Sequence, residues 1–170
     1  MSNKQECYAA QTVFRLPSAN DADEVYRLIK VCKPLDLNSR YTYLLLCDHF
    51  RDTCVIADIK DRIFGVVLGY RHPRKPNTLF VWQIAVEPNK RKRGIALSML
   101  QQLLNRDCLN NISYVEATAI PSNEASAALF RSFGNQLEAP LEERVYFPSD
   151  LFGKDNHEEE VLFRIGPIHK

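Results

Sequence analysis

No segment of this 170-residue chain approaches the ~18 consecutive apolar residues that a membrane-crossing helix requires. The polar opening MSNKQECYAAQ also lacks the apolar region of a signal peptide, so the expected location is the cytoplasm. Net charge is nearly absent at +1, which argues against nucleic acid or an anionic membrane as a partner. The five cysteines, Cys7, Cys32, Cys47, Cys54 and Cys108, are odd in number and contain no C-x-x-C pair. That disfavours a disulfide frame or a thiolate zinc site and points to reduced thiols, with no metal expected. Four of them lie in apolar or helical stretches and are expected to be buried. Repeats, low-complexity tracts and linkers are missing too, so residues 1–170 read as one domain with a frayed start over 1–11. Neither G-x-x-x-x-G-K-[ST] nor G-x-G-x-x-G occurs, which removes the two commonest nucleotide loops.

What is present has the balance of an ordinary globular protein, 45% apolar and 25% charged. Its most informative stretch is TLFVWQIAVEPNKRKRGIA, Thr78 to Ala96. Leu79 to Val86 is apolar everywhere except Gln83, the pattern of a strand buried on both faces. Glu87, Pro88 and Asn89 stop it. The basic run Lys90-Arg91-Lys92-Arg93 then leads through Gly94-Ile95-Ala96 into a helical pattern. There Ile95, Met99 and Leu103 share a face with Ala96, Leu100 and Leu104. Unpaired N–H groups at a helix start, with the helix dipole behind them, form an anion site where side chains are small. A phosphate-bearing ligand fits there.

The remaining elements follow from periodicity and breakers. Thr12 to Leu16 reads as a short strand. After Pro17 and the capping run 18–21 comes a helix with Val25, Leu28, Ile29 and Cys32 on one face. Residues 33–39 form a loop because Pro34 cannot continue that helix, and a second helix, Tyr41 to Phe50, is capped by Asn38 or Ser39. Thr53 to Asp58 and Ile63 to Tyr70 pair as a hairpin about residues 59–62. Ser113 to Ile120 is another strand, and Asn123 caps a helix that Gly134 is expected to end. Arg144 to Phe147 and Val161 to Ile165 close the chain as strands around a polar loop, 148–160. The expected order is βααβββαβαββ.

The loop matches R-x-x-G-x-A through Arg91, Gly94 and Ala96. With the element order, this resembles the Gcn5-related N-acetyltransferase (GNAT) family over nearly the whole chain. The resemblance implies an α/β (α+β) GNAT fold, a mixed central sheet splayed between its fourth and fifth strands with helices on both faces. It implies acetyl-coenzyme A as co-substrate, held by Ile84, Ala85, Val86, Arg91, Lys92, Arg93, Gly94, Ile95, Ala96, Asn123 and Phe130. Family members often carry N-x-x-A-x-x-L-Y after the fifth strand, whose tyrosine can protonate the leaving thiolate. Here the run is Asn123, Ser126, Leu129 and Phe130, without the tyrosine.

The stretches 32–50, 78–86, 121–130 and 156–166 are similar, more narrowly, to a branch of that family. Its members acetylate the side-chain amine of L-2,4-diaminobutyrate on the way to the compatible solute ectoine. General membership predicts the cofactor loop but not Pro34-Leu35-Asp36-Leu37-Asn38-Ser39. The resemblance implies a small diamino acid as acceptor and a homodimer as the assembly.

Aminolysis of a thioester requires a neutral amine, yet an alkyl amine with a pKa near ~10.4 is mostly protonated at neutral pH. A base must take that proton, and Asp36, His157 and Glu160 are the candidates. Asp36, Asn38, Tyr41, Trp82, His157 and Glu160 are the expected substrate contacts, Trp82 by cation–π contact with an amine. A backbone N–H around Ile84 to Val86 would meet the oxyanion. A thiol pKa near ~8.5 makes thiolate a fair leaving group, so Tyr41 or water suffices as acid. Taken singly, Trp82 and Tyr41 read as packing, Asp36 and Asn38 as turn formers, and His157 and Glu160 as a solvated face; only their joint match makes them a site. The alternatives are another small amine or a peptide N-terminus as acceptor, and a catalytically silent coenzyme A-binding module.

Overall fold

The computed structural model describes residues 12–153 and 157–169. Cys7 and the predicted frayed start lie outside them. The elements are β1 (Val13–Arg15), α1 (Ala22–Val31), α2 (Arg40–Asp48), β2 (Val55–Ile59), β3 (Arg62–Arg71), β4 (Thr78–Val86), α3 (Ile95–Leu104), β5 (Tyr114–Ala119), α4 (Glu124–Gln136), β6 (Leu141–Phe147) and β7 (Glu160–Ile165), with short 3₁₀ turns between some of them. The order is the one expected, and the strands form a mixed seven-stranded sheet in the sequence β1-β2-β3-β4-β5-β7-β6. No helix of the described residues is long and apolar enough to cross a membrane. Contacts divide the chain into two compact units, one of Met1–Tyr70 with Gln83–Leu109, the other of Arg71–Trp82 with Asn110–Lys170.

In the first unit β1, β2 and β3 run antiparallel. The β2–β3 turn is only Lys60-Asp61, both left-handed at φ 54° and 61°, the conformation whose twist matches a two-residue hairpin. Arg15 on β1 binds Asp58 at 2.5 Å and Asp21 at 2.7 Å, tying the edge strand to the chain that enters α1. Helix α1 buries Val25, Leu28 and Ile29. Helix α2 is capped by Ser39, whose Oγ accepts from Thr42 N, and buries Tyr43, Leu46 and Cys47. Helix α3 buries Met99, Leu100, Leu103 and Leu104. It meets β3 at Gly65, where a Cβ would lie 3.2 Å from the Met99 side chain and 3.1 Å from Ala57 Cβ. A side chain there would require Ala57 and the Met99 side chain to give way by a few tenths of an ångström.

In the second unit β5 is central. It runs parallel to β4 from Thr78–Tyr114 to Val81–Ala117, and antiparallel to β7, which pairs in turn with the edge strand β6. Glu116 on β5 is buried, and its Oε1 is shared by Lys75 Nζ at 3.1 Å and by Arg164. Two cations make an otherwise costly interior carboxylate tolerable.

Several expectations are corrected. Helix α4 runs past Gly134 to Gln136, because the left-handed residue that follows the helix is Glu138, at φ 50°, and a single glycine inside a helix costs only about 1 kcal/mol relative to alanine. Strand β6 begins at Leu141 rather than Arg144. Strand β4 is not closed on both faces throughout, since Trp82 and Ile84 are only half-buried. Cys32, Cys47 and Cys54 are buried as expected, but Cys108 is exposed, carried by the 3₁₀ turn Asp107–Leu109 beyond α3.

Burial pushes the Cys47 thiol up to about 12 and the Cys54 thiol to about 11, the latter against a hydrogen bond from Gly69 N–H that favours the thiolate. Thiolate is the reactive form. Brief iodoacetamide treatment of the native protein, mapped by mass spectrometry, is therefore expected to modify Cys108 and to spare Cys47 and Cys54 until the chain is unfolded. Native modification of Cys47 would contradict this packing.

Candidate active site

Strand β4 ends at Val86, and its carbonyl is shared by two segments of the first unit. Arg91 Nε donates to Val86 O at 3.0 Å, and the Cys32 thiol at the end of α1 approaches the same oxygen at 3.5 Å. One main-chain acceptor therefore roots both the basic loop and the α1–α2 loop. Burial raises the Cys32 thiol pKa while Arg91 opposes the rise, so the thiol stays a neutral donor.

The basic loop turns twice through left-handed backbone, at Lys92 (φ 60°) and Gly94 (φ 75°). Gly94 is the N-cap of α3 and supplies no side-chain cap. The first intrahelical bond runs from Ser98 N to Gly94 O, leaving the preceding N–H groups directed out of the helix start. A Cβ built at Gly94 would meet no atom within 4 Å, so a ligand can reach the backbone. Arg91, Lys92 and Arg93 are exposed around this opening. Arg93 also braces the turn through Asn89 O at 3.2 Å, while Lys90 Nζ lies 5.0 Å from the centre of the Phe64 ring. The dipole and three cations suit a polyanion such as a pyrophosphate. Ile84, Ala85 and Val86 precede this loop on β4, and Ile95 and Ala96 open α3.

The α1–α2 loop is held by side chains of its own unit. Gln83, buried on β4, donates from Nε2 to Asp36 O at 2.7 Å. The Tyr43 hydroxyl donates to Gln83 Oε1 at 3.3 Å and accepts from Asn38 N–H at 3.2 Å. Asp36 is exposed and Asn38 half-buried, and Tyr41 in the first turn of α2 is 68% exposed. Three predicted substrate contacts thus cluster at one loop and the helix start it feeds.

In the second unit Trp82 is half-buried on β4. Asn123 caps α4, its Oδ1 accepting from Ser126 N–H at 3.2 Å, so that oxygen is committed to the helix. Phe130 is buried and stacks on Phe163 with ring centres 5.8 Å apart. His157 stacks on Phe152 at 4.0 Å with Nδ1 against Glu158 O. Glu160 is half-buried where β7 begins, opposite Phe147 on β6.

Residues 22–134 match the acetyltransferase (GNAT) family. This chain belongs to that family. It is 43% identical over 158 residues to the L-2,4-diaminobutyric acid acetyltransferase of Marinococcus halophilus, covering 93% of this chain and 91% of that one. It is also similar to the diaminobutyrate acetyltransferase EctA from Paenibacillus lautus, solved in complex with its substrate L-2,4-diaminobutyric acid and coenzyme A. That likeness has a TM-score of 0.90 and 41% identity and covers 94% of this chain and 97% of that one. A more distant likeness, to Ard1 from Thermoplasma volcanium, has a TM-score of 0.75 at 15% identity over 92% of this chain and 98% of that one, and carries the fold alone.

Within this GNAT chain, Phe130 is the residue at which the family resemblance implies a tyrosine acid. Its ring fills the core against Phe163 and can exchange no proton. Tyr43 was absent from the sequence-based candidates: its place in the stripe Tyr43, Leu46, Cys47 marks it as core, and nothing in that spacing reveals a use for its hydroxyl. Gln83 did leave a signal, as the one polar residue in an apolar strand.

The left-handed backbone at Gly94 sets a direct expectation. Gly94→Ala meets no steric neighbour, so its cost is conformational, about 1 kcal/mol. A small downward shift in the urea midpoint is expected, with a several-fold rise in KM for acetyl-coenzyme A. An unchanged KM would remove the helix start from the cofactor site.

Proposed function

We propose that this chain transfers the acetyl group of acetyl-coenzyme A to the side-chain (γ) amine of L-2,4-diaminobutyrate. The product is N-γ-acetyl-diaminobutyrate, from which ectoine is formed by cyclisation. The observation that carries this reading is the joint likeness, above 40% identity over more than nine-tenths of the chain, to enzymes named for that reaction, one of them solved with that substrate. The local geometry supports it, because a polyanion site and a loop bearing Asp36 and Asn38 are both rooted at the end of β4.

In this reading the N–H groups at Gly94, Ile95 and Ala96, with Arg91, Lys92 and Arg93, hold the pyrophosphate. The half-exposed residues at the end of β4 line the pantetheine, and a strand N–H between Ile84 and Val86 meets the oxyanion. Asp36 receives an ammonium group of the diamine, with Asn38 and Tyr41 completing its binding. Trp82 offers a ring face to an amine and His157 a polar contact. Asp36 or Glu160, directly or through water, takes the proton that frees the attacking lone pair. Clamping the α-amine and carboxylate leaves only the side-chain amine able to reach the acetyl carbon. Tyr41 or water protonates the thiolate, a role that Phe130 cannot fill. The family match runs through both compact units, and we read them as one N-acetyltransferase domain acting in the cytoplasm as a homodimer. The absence of a hydroxyl at Phe130 favours one second reading, a coenzyme A-binding module without turnover.

The deciding assay is acetyl-coenzyme A turnover with L-2,4-diaminobutyrate, ornithine and lysine in parallel, with the acetylated nitrogen identified in each product. Selective γ-acetylation of diaminobutyrate is expected. Bound cofactor without turnover on any of the three would support the silent module instead. Asp36→Asn removes a charged partner of the substrate and is expected to lower kcat/KM for diaminobutyrate at least about tenfold. KM for acetyl-coenzyme A should be unchanged.

A further inference from the structure

Gln83 is 6% exposed in a strand that is otherwise apolar except for its first residue, Thr78. A buried amide is costly unless both its ends are bonded, and here both are. The chain of donors runs from Asn38 N–H to the Tyr43 oxygen, from the Tyr43 O–H to Gln83 Oε1, and from Gln83 Nε2 to Asp36 O. Each link sets the polarity of the next. The single phenol proton must go to Oε1 because Asn38 donates to the phenol oxygen, and that turns Nε2 toward Asp36.

The chain grips the loop by its main chain on either side of Leu37. Tyr43 itself is wedged by Tyr26 of α1, edge-on with ring centres 6.0 Å apart, and Tyr26 is covered in turn by Arg40, 4.0 Å above its ring. Stability alone does not call for such a chain. Replacing a buried hydrogen-bonded pair by apolar groups of the same shape is close to neutral, so what the polar version adds is a fixed geometry for the segment it holds.

Resting on the acetyltransferase reading above, we propose that Tyr43 and Gln83 are positioning residues that latch the segment 36–38 in the geometry that receives the diamine. They act through Asp36 and Asn38 and do not themselves touch the acceptor. Burial raises the Tyr43 phenol pKa, against the hydrogen bond it accepts from Asn38 N–H, which keeps it a neutral donor.

The test pairs kinetics with a readout that needs no substrate. Tyr43→Phe and Gln83→Met are each expected to raise KM for diaminobutyrate roughly fivefold to tenfold, the effect of losing one loop-fixing hydrogen bond. KM for acetyl-coenzyme A should move less than about twofold, and the double variant should fall short of the product of the two single effects, because both lose the shared Tyr43–Gln83 bond. Amide hydrogen exchange at Asn38 should quicken about tenfold in Tyr43→Phe, while the β3 amides keep their protection. An unchanged KM for the diamine, additive single effects, or a rise in both KM values with faster exchange throughout would overturn the proposal. Should the unmodified protein fail to acetylate diaminobutyrate, the functional reading falls. Exchange at Asn38 then decides the latch alone: unchanged protection in Tyr43→Phe removes it, and faster exchange keeps it.

Discussion

The last four residues of β4 carry more polar obligation than their apolar sequence suggests, and the site depends on how that obligation is met. Gln83 brings a buried amide and Val86 a strand-end carbonyl. Neither can be left unbonded in the interior without a cost comparable to a lost hydrogen bond or more. Their partners come from the basic loop and from the α1–α2 region. Arg91 and Cys32 meet at Val86 O, while Asp36 and Tyr43 meet at Gln83. Satisfying the strand thus places the loops.

That arrangement assigns Arg91 a double part. In the R-x-x-G-x-A pattern an arginine is most simply read as a phosphate ligand. Here its Nε is bonded to the strand while the residue remains exposed, so it braces the turn and contributes charge at the helix start at once. The division is physically sensible. Backbone N–H groups and a dipole supply directional contacts at fixed positions, whereas exposed cations add attraction that salt weakens.

Much of the fold was legible because period and punctuation agree. Val25, Leu28 and Ile29 repeat at helical spacing after a capping run, Ser39 caps α2 as one of two residues expected to, and the basic loop precedes α3 at the place its pattern required. Other features were settled by tertiary contact. Gly134 carries a stop signal, but a helix tolerates a single glycine at about 1 kcal/mol relative to alanine, and the left-handed turn that follows α4 falls at Glu138 instead. Cys108 follows an apolar stripe yet falls one turn beyond it, in the exposed 3₁₀ segment. Tyr43 and Gln83 lie forty residues apart, and no local pattern encodes which buried hydroxyl will find which buried amide. The two loops could be read as cofactor and acceptor segments from their residues, but their common root at β4 could not.

The most direct measurement is a crystal structure of this protein with coenzyme A and L-2,4-diaminobutyrate bound together. The account predicts the pyrophosphate against the N–H groups of Gly94 to Ala96 and an ammonium of the diamine at the carboxylate of Asp36. It also predicts the bonds of Gln83 to Asp36 O and to Tyr43 retained. A pyrophosphate bound away from the start of α3, or a segment 36–38 released from Gln83 when the diamine is in place, would contradict it.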